Sequence, residues 1–133
     1  MEYKSENGKV VGKLAQKNVD TGMGLERITA VVNGLDNVYE TDLFFGEKSK
    51  EDRVVTDHVK AALFLISDGI LPSNTGQGYI LRRLIRRAAR FSKEPLANMI
   101  GKIKEKYSGI YELEDKGEIT KEEQKFRETL EKG

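Results

Sequence analysis

The sequence predicts a mainly α-helical, bundle-like protein preceded by a short β-hairpin, and three observations support this fold class. From Leu25 onward, apolar residues recur three and four positions apart, the spacing of one face of an α-helix. Before Leu25, extended segments flank Asn7–Gly8, a dipeptide that supplies the positive φ angles of a tight hairpin turn. Charged residues make up 34% of the chain and hydrophobic residues 38%, a balance that suits helices with hydrated outer faces.

The β-hairpin is expected to join Glu2–Ser5 to Lys9–Val11, with Asn7–Gly8 at the turn. Two or three short strands do not form a stable sheet on their own. This part of the chain is therefore predicted to be the margin of a larger sheet.

Five helices are predicted from the apolar periodicity and from residues that begin or end helices. Gly34 and Gly69 are typical of helix C-termini, and Thr120-x-x-Glu123 has the spacing of a capping box that opens the last helix. In the connection that follows Pro72, Ser73 or Asn74 is expected to cap the next helix. The first predicted helix starts at Leu25, and the second runs from about Asp52 to Asp68. The third ends at about Phe91, the fourth starts at Pro95, and the fifth starts at the capping box.

The third predicted helix concentrates positive charge on one face. Five arginines fall within an arc of about 140° on this helix, and apolar residues occupy the opposite side: Arg82, Arg83, Arg86, Arg87 and Arg90. No Asp or Glu occurs between Asp68 and Glu94, so local pairing one helical turn away does not neutralise them. Guanidinium groups bind phosphate oxygens bidentately, which favours nucleic acid as a partner. The alternative is a solvated helix face with acidic partners elsewhere in the fold.

Composition excludes several other classes of function. The chain has no cysteine and one histidine, His58, so disulfides, thiolate metal sites and histidine clusters are excluded. The longest apolar run, Ala61–Ile66, is too short to span a bilayer, and the first residues lack the apolar region of a signal peptide. A cytoplasmic protein without a membrane partner is expected. The net charge is +1, so an anionic partner has to be held by a local patch.

Two glycine-containing segments are candidate binding loops. In Asp20–Arg27, glycines let a ligand approach the backbone, and a cation lies just inside the following helix, where it can meet a phosphate. The alternative is an ordinary strand-to-helix connection with Arg27 on the surface. In Ser73–Gly78, Asn74 offers a donor and an acceptor that can read a base edge, or it is simply a helix cap.

These segments, in this order, resemble the alanyl-tRNA synthetases, a family of class II aminoacyl-tRNA synthetases. The first resembles motif 3, the strand-to-helix turn of class II enzymes, and the second resembles a specific signature of the family. The resemblance covers essentially the whole chain. It rests on KNVDTGMGLERI at 17–28, NVYETDLF at 37–44, RVVTDH at 53–58, LPSNTGQGYILRRLIRRA at 71–88 and ITKEEQKFRETLEKG at 119–133.

The resemblance implies roles in binding alanine and ATP for the first segment. Asp20 would hold the α-amino group of alanine, and Gly22 would line the pocket for its methyl side chain. Gly24 and Arg27 would bind ATP, with Arg27, the implied catalytic residue, on the phosphate oxygens. ATP with Mg²⁺ is the implied cosubstrate of the whole enzyme, and no metal ligands are expected within this segment.

For the second segment, the resemblance implies contact with the acceptor stem of the alanine tRNA. Asn74 matches the residue that reads the wobble G·U pair, and the arginine helix would hold the RNA backbone beside it.

The resemblance also implies a division into two domains and a larger parent enzyme. Residues 1–34 would end the class II catalytic domain, and residues 35–133 would form a helical tRNA-recognition domain. Motifs 1 and 2 and the acidic partner of Asn74 are expected outside this segment, so the isolated chain is expected to be inactive. The stretch from Phe45 to Arg53 is expected to be shorter than in many relatives. Two alternatives remain: a free-standing RNA-binding module, and a helical interaction domain whose arginines meet an acidic protein.

Overall fold

The computed structural model describes residues 2–19 and 21–133, and the chain divides into two compact units. The first, here called the N-terminal unit, extends to Thr41. The second, the helical unit, runs from Asp42 to Gly133. The described residues show the predicted mainly α-helical fold, with a small two-stranded antiparallel sheet that precedes the helices in the sequence.

The N-terminal unit begins with the predicted hairpin, formed by β1 (Tyr3–Glu6) and β2 (Lys9–Lys13). Asn7 and Gly8 take φ angles of 50° and 77°, so the turn has the positive φ values that this dipeptide favours. The pairing register shifts between Lys4 and Ser5, which forms a β-bulge in the ladder. Every residue of both strands is exposed to solvent. The hairpin is therefore held by backbone hydrogen bonds and lacks a buried face.

Helix α1 (Leu25–Val32) and a short 3₁₀ helix (Val38–Glu40) complete this unit. Gly34 ends α1 as predicted: its N–H donates to Val31 O at 3.2 Å, and Leu35 N donates to Ala30 O at 2.9 Å. Ala30 is the one residue of α1 that is buried among the described residues. The apolar side chains that predicted this helix lie exposed instead of in a core.

Four helices form the helical unit: α2 (Lys50–Ser67), α3 (Gly76–Phe91), α4 (Leu96–Tyr107) and α5 (Glu118–Lys132). Helix α2 packs on α3 and α4, while α5 packs on both α3 and α4. Their shared core is mostly aliphatic, because each helix turns one apolar face inward. The largest fully buried side chains in it are Leu63, Leu81, Ile85, Leu96, Ile103 and Ile119. Within the described residues, no helix is long and apolar enough to cross a membrane.

Two helix starts differ from the predicted ones. Helix α2 begins at Lys50, two residues before the predicted Asp52, because Ser49 and Asp52 form a capping box. The capping box predicted at Thr120–Glu123 is wrong. Helix α5 already starts at Glu118, after Gly117. Thr120 and Glu123 therefore lie inside the helix, where they do not cap its first amides.

Candidate nucleic-acid interface

Helix α3 divides its five arginines into two sets. Arg82 and Arg86 lie on the side of α3 that meets α5, with side chains 25% and 34% exposed. Their Nε atoms both donate to Glu122 Oε1, at 3.2 Å and 2.7 Å, and the Glu122 side chain is 6% exposed. A buried carboxylate thus offsets part of the positive charge of this pair. Glu122 lies far from α3 in the sequence. The lack of acidic residues near the arginines therefore did not reveal this partner.

The other three arginines, Arg83, Arg87 and Arg90, form the exposed arginine face of α3. At about 100° per residue they fall within an arc of roughly 60°. No acidic side chain of the described residues lies within ion-pair distance of them. The Arg83 guanidinium carbon lies 5.8 Å from the centroid of the Tyr79 ring, which places an exposed aromatic side chain beside the positive charge. This face is free to bind phosphates.

The loop before α3 folds back against the first turn of that helix. Ser73 N donates to Gly78 O at 3.1 Å. A Cβ atom at position 78 would overlap Ser73 Oγ and the carbonyl oxygen of Leu71, so only glycine fits there. The same closeness fixes where Asn74 stands relative to the arginines of the helix.

Asn74 does not cap α3, so the predicted capping role of Ser73 or Asn74 is wrong. The N-cap residue is Thr75, and no side chain accepts a hydrogen bond from the first amides of the helix there. The Ser73 hydroxyl instead donates to Thr75 O at 2.8 Å. Asn74 Oδ1 accepts a hydrogen bond from Arg82 Nη1. The amide group of Asn74 is therefore held by the arginine helix, and among the described residues no acceptor is bonded to its Nδ2 hydrogens.

The candidate alanine and ATP residues lie in the N-terminal unit. Asp20 lies outside the described residues. Gly22 is exposed, and a Cβ atom built there meets nothing within 4 Å, so open space surrounds this backbone. Gly24 precedes α1 in an extended conformation, and the side chain of Arg27 is exposed in the first turn of that helix. A Cβ atom at Gly24 would be 3.5 Å from Arg27 Cδ. An exposed guanidinium at a helix N-terminus can bind a phosphate by donating hydrogen bonds to its oxygens.

Among the described residues, the other polar groups form no catalytic set. His58 Nδ1 lies 3.1 Å from Asp57 Oδ2 on α2, consistent with a structural histidine. Throughout the described part of the chain, no three metal-ligating side chains come together. A cavity of about 680 Å³ lies between the start of α2 and the connection from α3 to α4. Both acids and lysines line it, so it presents no charge of consistent sign.

Sequence reasoning missed Glu122, which holds Arg82 and Arg86. A signal was present, because Ile119, Glu122 and Phe126 follow the spacing of one helix face, on which Glu123 also lies. A pair of acids on an otherwise apolar face predicts buried carboxylates that need cationic or amide partners.

Sequence comparisons show the family to which this chain belongs. The family described as tRNA synthetases class II (A) matches residues 1–133. The chain belongs to this family, the class II tRNA synthetases.

Similar curated proteins include several alanine–tRNA ligases. The enzyme of Clostridioides difficile strain 630 is 40% identical, over 90% of this chain and 17% of the relative. The enzyme of Caldicellulosiruptor saccharolyticus is 41% identical, over 98% of this chain and 18% of the relative. The enzyme of Borreliella afzelii is 41% identical, over 100% of this chain and 28% of the relative. The chain thus spans less than a third of the length of these relatives.

The alignments also show a difference in length within the matched region. The alignment to the Borreliella afzelii enzyme extends over 165 positions, although this chain has 133 residues, so that relative carries insertions. The location of these insertions between the positions that match Phe45 and Arg53 stays a prediction.

Proposed function

We propose that this chain is the part of an alanine–tRNA ligase that contributes motif 3 and binds the acceptor stem of the alanine tRNA. The family match and the alanine–tRNA ligases similar to it support the enzyme class. The observation that carries the RNA-binding role is the exposed arginine face beside a loop whose asparagine amide is held in place.

In this proposal the exposed arginine face binds phosphates and Asn74 reads the G·U pair. Phosphate contacts fix the orientation of RNA without reading its sequence, whereas a base-edge contact carries discrimination. The wide, shallow minor groove of an RNA helix displays base edges that a short side chain can reach. Arg82 and Arg86 belong to the same interface, but their bonds to Glu122 make them its inner support.

The N-terminal unit would contribute to the aminoacylation site. Asp20 would hold the amino group of alanine, Gly22 would border its methyl group, and Gly24 and Arg27 would bind ATP. The open backbone at Gly22 and the exposed guanidinium of Arg27 fit such a role. The division into residues 1–34 and 35–133, the use of Mg²⁺ with ATP, and a cytoplasmic location belong to the same proposal.

The proposed reaction joins alanine to its tRNA in two steps. The carboxylate of alanine attacks the α-phosphorus of ATP, which releases pyrophosphate and gives alanyl-adenylate. A ribose hydroxyl of the terminal tRNA nucleotide then attacks the alanyl carbonyl and releases AMP. Arg27 would stabilise negative charge on the phosphate oxygens during the first step.

The experiment that tests the RNA-binding role is a titration of the chain with an acceptor-stem hairpin at several salt concentrations. Replacing Arg83, Arg87 and Arg90 with Ala together should reduce the slope of log affinity against log salt by about two to three units. Arg127→Ala is the matched control, because Arg127 is bonded to Glu123 on α5. If the triple variant retains the salt slope of the wild type, the exposed arginine face does not bind RNA.

A free-standing RNA-binding module would show the same geometry. Alanine-dependent ATP–pyrophosphate exchange by the product of the complete reading frame separates the two functions. Exchange supports the ligase, and its absence from a folded, RNA-binding product supports the module.

A further inference from the structure

Glu122 connects to the loop before α3 through a chain of three side chains. Its Oε1 atom accepts from Arg82 Nε at 3.2 Å, and Arg82 Nη1 donates to Asn74 Oδ1. One guanidinium therefore bonds to a buried carboxylate with one nitrogen and to an exposed amide with another. Because the guanidinium is planar and rigid, fixing one end fixes the direction of the other.

Arg86 holds the same carboxylate from one turn further along α3. Its Nε atom lies 2.7 Å from Glu122 Oε1, and its guanidinium carbon lies 5.7 Å from the centroid of the Phe126 ring. Glu122 is thus held by two cations at one oxygen and by its burial in α5. It forms a rigid anchor for Arg82.

From this geometry we infer that Glu122 is a positioning residue for Asn74: through Arg82 it fixes the amide orientation with which Asn74 reads the acceptor stem. The inference rests on the proposed function for its consequence in RNA discrimination. The orientation matters because Oδ1 of Asn74 is engaged by Arg82, so the amide presents its two Nδ2 hydrogens as donors. A rotated amide would present an acceptor to the same base edge and lose the discrimination.

The adjacent residue, Glu123, provides a matched control. It is equally buried on α5, but its Oε2 accepts from Leu96 N at 3.1 Å and its Oε1 accepts from Arg127 at 2.7 Å and 2.9 Å. Glu123 therefore holds the start of α4 and does not bond to Arg82. Replacing it disturbs α5 to a similar extent without entering the chain of contacts to Asn74.

The first test measures Asn74 without RNA. In the ¹⁵N-labelled chain, the order parameter of the Asn74 side-chain amide should be close to that of rigid backbone, about 0.85, and should fall below about 0.6 in Glu122→Gln. Arg82→Lys should have the same effect, because one ammonium nitrogen does not replace both guanidinium contacts. Glu123→Gln should leave the value unchanged. Backbone amide shifts of α3 report whether each variant is folded.

An unchanged Asn74 order parameter in both Glu122→Gln and Arg82→Lys would overturn the inference. This result does not depend on RNA and so leaves the proposed function untouched. Where one variant fails to fold, the other decides.

The second test measures discrimination between paired hairpins that carry G·U or G·C at the recognised position. Glu122→Gln should reduce the preference for G·U by roughly fivefold, the lower end of what one good base contact provides. Added to Asn74→Ala, it should reduce the preference no further, because both changes remove the same contact. A role limited to charge neutralisation would instead strengthen binding to both hairpins equally, since Arg82 and Arg86 would be released.

Full retention of the preference in folded Glu122→Gln would overturn the positioning role. If the wild type binds both hairpins equally, this chain does not read the G·U pair on its own. The order parameter of the Asn74 amide then still decides whether Glu122 holds it.

Discussion

The two units of this chain use similar apolar residues with opposite results. In the helical unit, the apolar face of every helix contributes to one buried core. In the N-terminal unit, the apolar side chains of β2 and α1 are largely exposed. The hairpin and helix α1 therefore depend mainly on local turn and helix-end signals, whereas the described residues bury most of their apolar surface in the helical unit.

The buried core and the candidate RNA interface therefore lie in the same unit, the helical unit. Helix α3 is packed between α2 and α5, so the exposed arginine face and Asn74 stand on a rigid support. The candidate alanine and ATP residues stand on a unit whose described residues form little core.

Hydrogen exchange should show the largest difference between the units. Amides of the hairpin, from Tyr3 to Val11, should exchange at least about a thousandfold faster than those from Val54 to Ile66 in α2. An isolated hairpin is marginally stable, whereas core helices exchange only through global opening. Equal protection of both segments would mean that the hairpin has found a partner, such as a second copy of the chain.

Truncation of one leucine in each unit should separate their energetics. Leu63 in α2 is fully buried, whereas Leu25 in α1 is 55% exposed. Leu63→Ala should lower the free energy of unfolding by about 2–5 kcal/mol, and Leu25→Ala should change it by no more than about 0.5 kcal/mol. Urea unfolding followed by helical circular dichroism measures both. A comparable loss for Leu25→Ala would show that α1 has an apolar partner.

Local signals in the sequence predicted most of the fold. The turn at Asn7–Gly8 and the helix ends at Gly34 and Gly69 were confirmed, because these features depend on a few neighbouring residues. The start of α5 was predicted incorrectly. Thr120 and Glu123 have the spacing of a capping box, but Glu123 is turned toward Leu96 of α4. Spacing alone does not reveal a partner that lies far away in the sequence.

The candidate site shows the same limit. The arc of the arginines follows from the helical period, so the sequence predicted a basic face. Its division into three exposed arginines and the pair held by Glu122 depends on how α5 packs against α3, which no local pattern contains. The bond between Asn74 and Arg82 was not expected either, although both residues were candidates, because it depends on how the loop before α3 folds back on the helix.

Replacing Glu123 should show that α4 depends on a cap from another helix. In Glu123→Ala, the buried N–H of Leu96 loses its acceptor and Arg127 loses its carboxylate partner. An unsatisfied buried donor costs about 1–3 kcal/mol. Glu128→Ala is the control on the same helix, because Glu128 is exposed. Urea unfolding should show the loss in Glu123→Ala alone, and equal stability of the two variants would contradict the capping role.

The smallest effect should come from the capping box of α2, and it should depend on pH. Hydrogen bonds from the Ser49 side chain and backbone lower the pKa of Asp52 below its ordinary value of 3.8. Asp52 binds protons more weakly in the folded chain than in the unfolded chain, so its stabilising effect is complete above the unfolded pKa. That stability is lost as pH falls through the lower, folded pKa.

The melting temperature of the wild type should therefore exceed that of Asp52→Asn at pH 7, and the difference should shrink toward pH 2. Ser49→Ala removes the side-chain bond that lowers the pKa of Asp52 most, so it should weaken the same pH dependence. A difference between wild type and Asp52→Asn that is constant across this range would mean that the carboxylate does not stabilise the start of α2 by its charge.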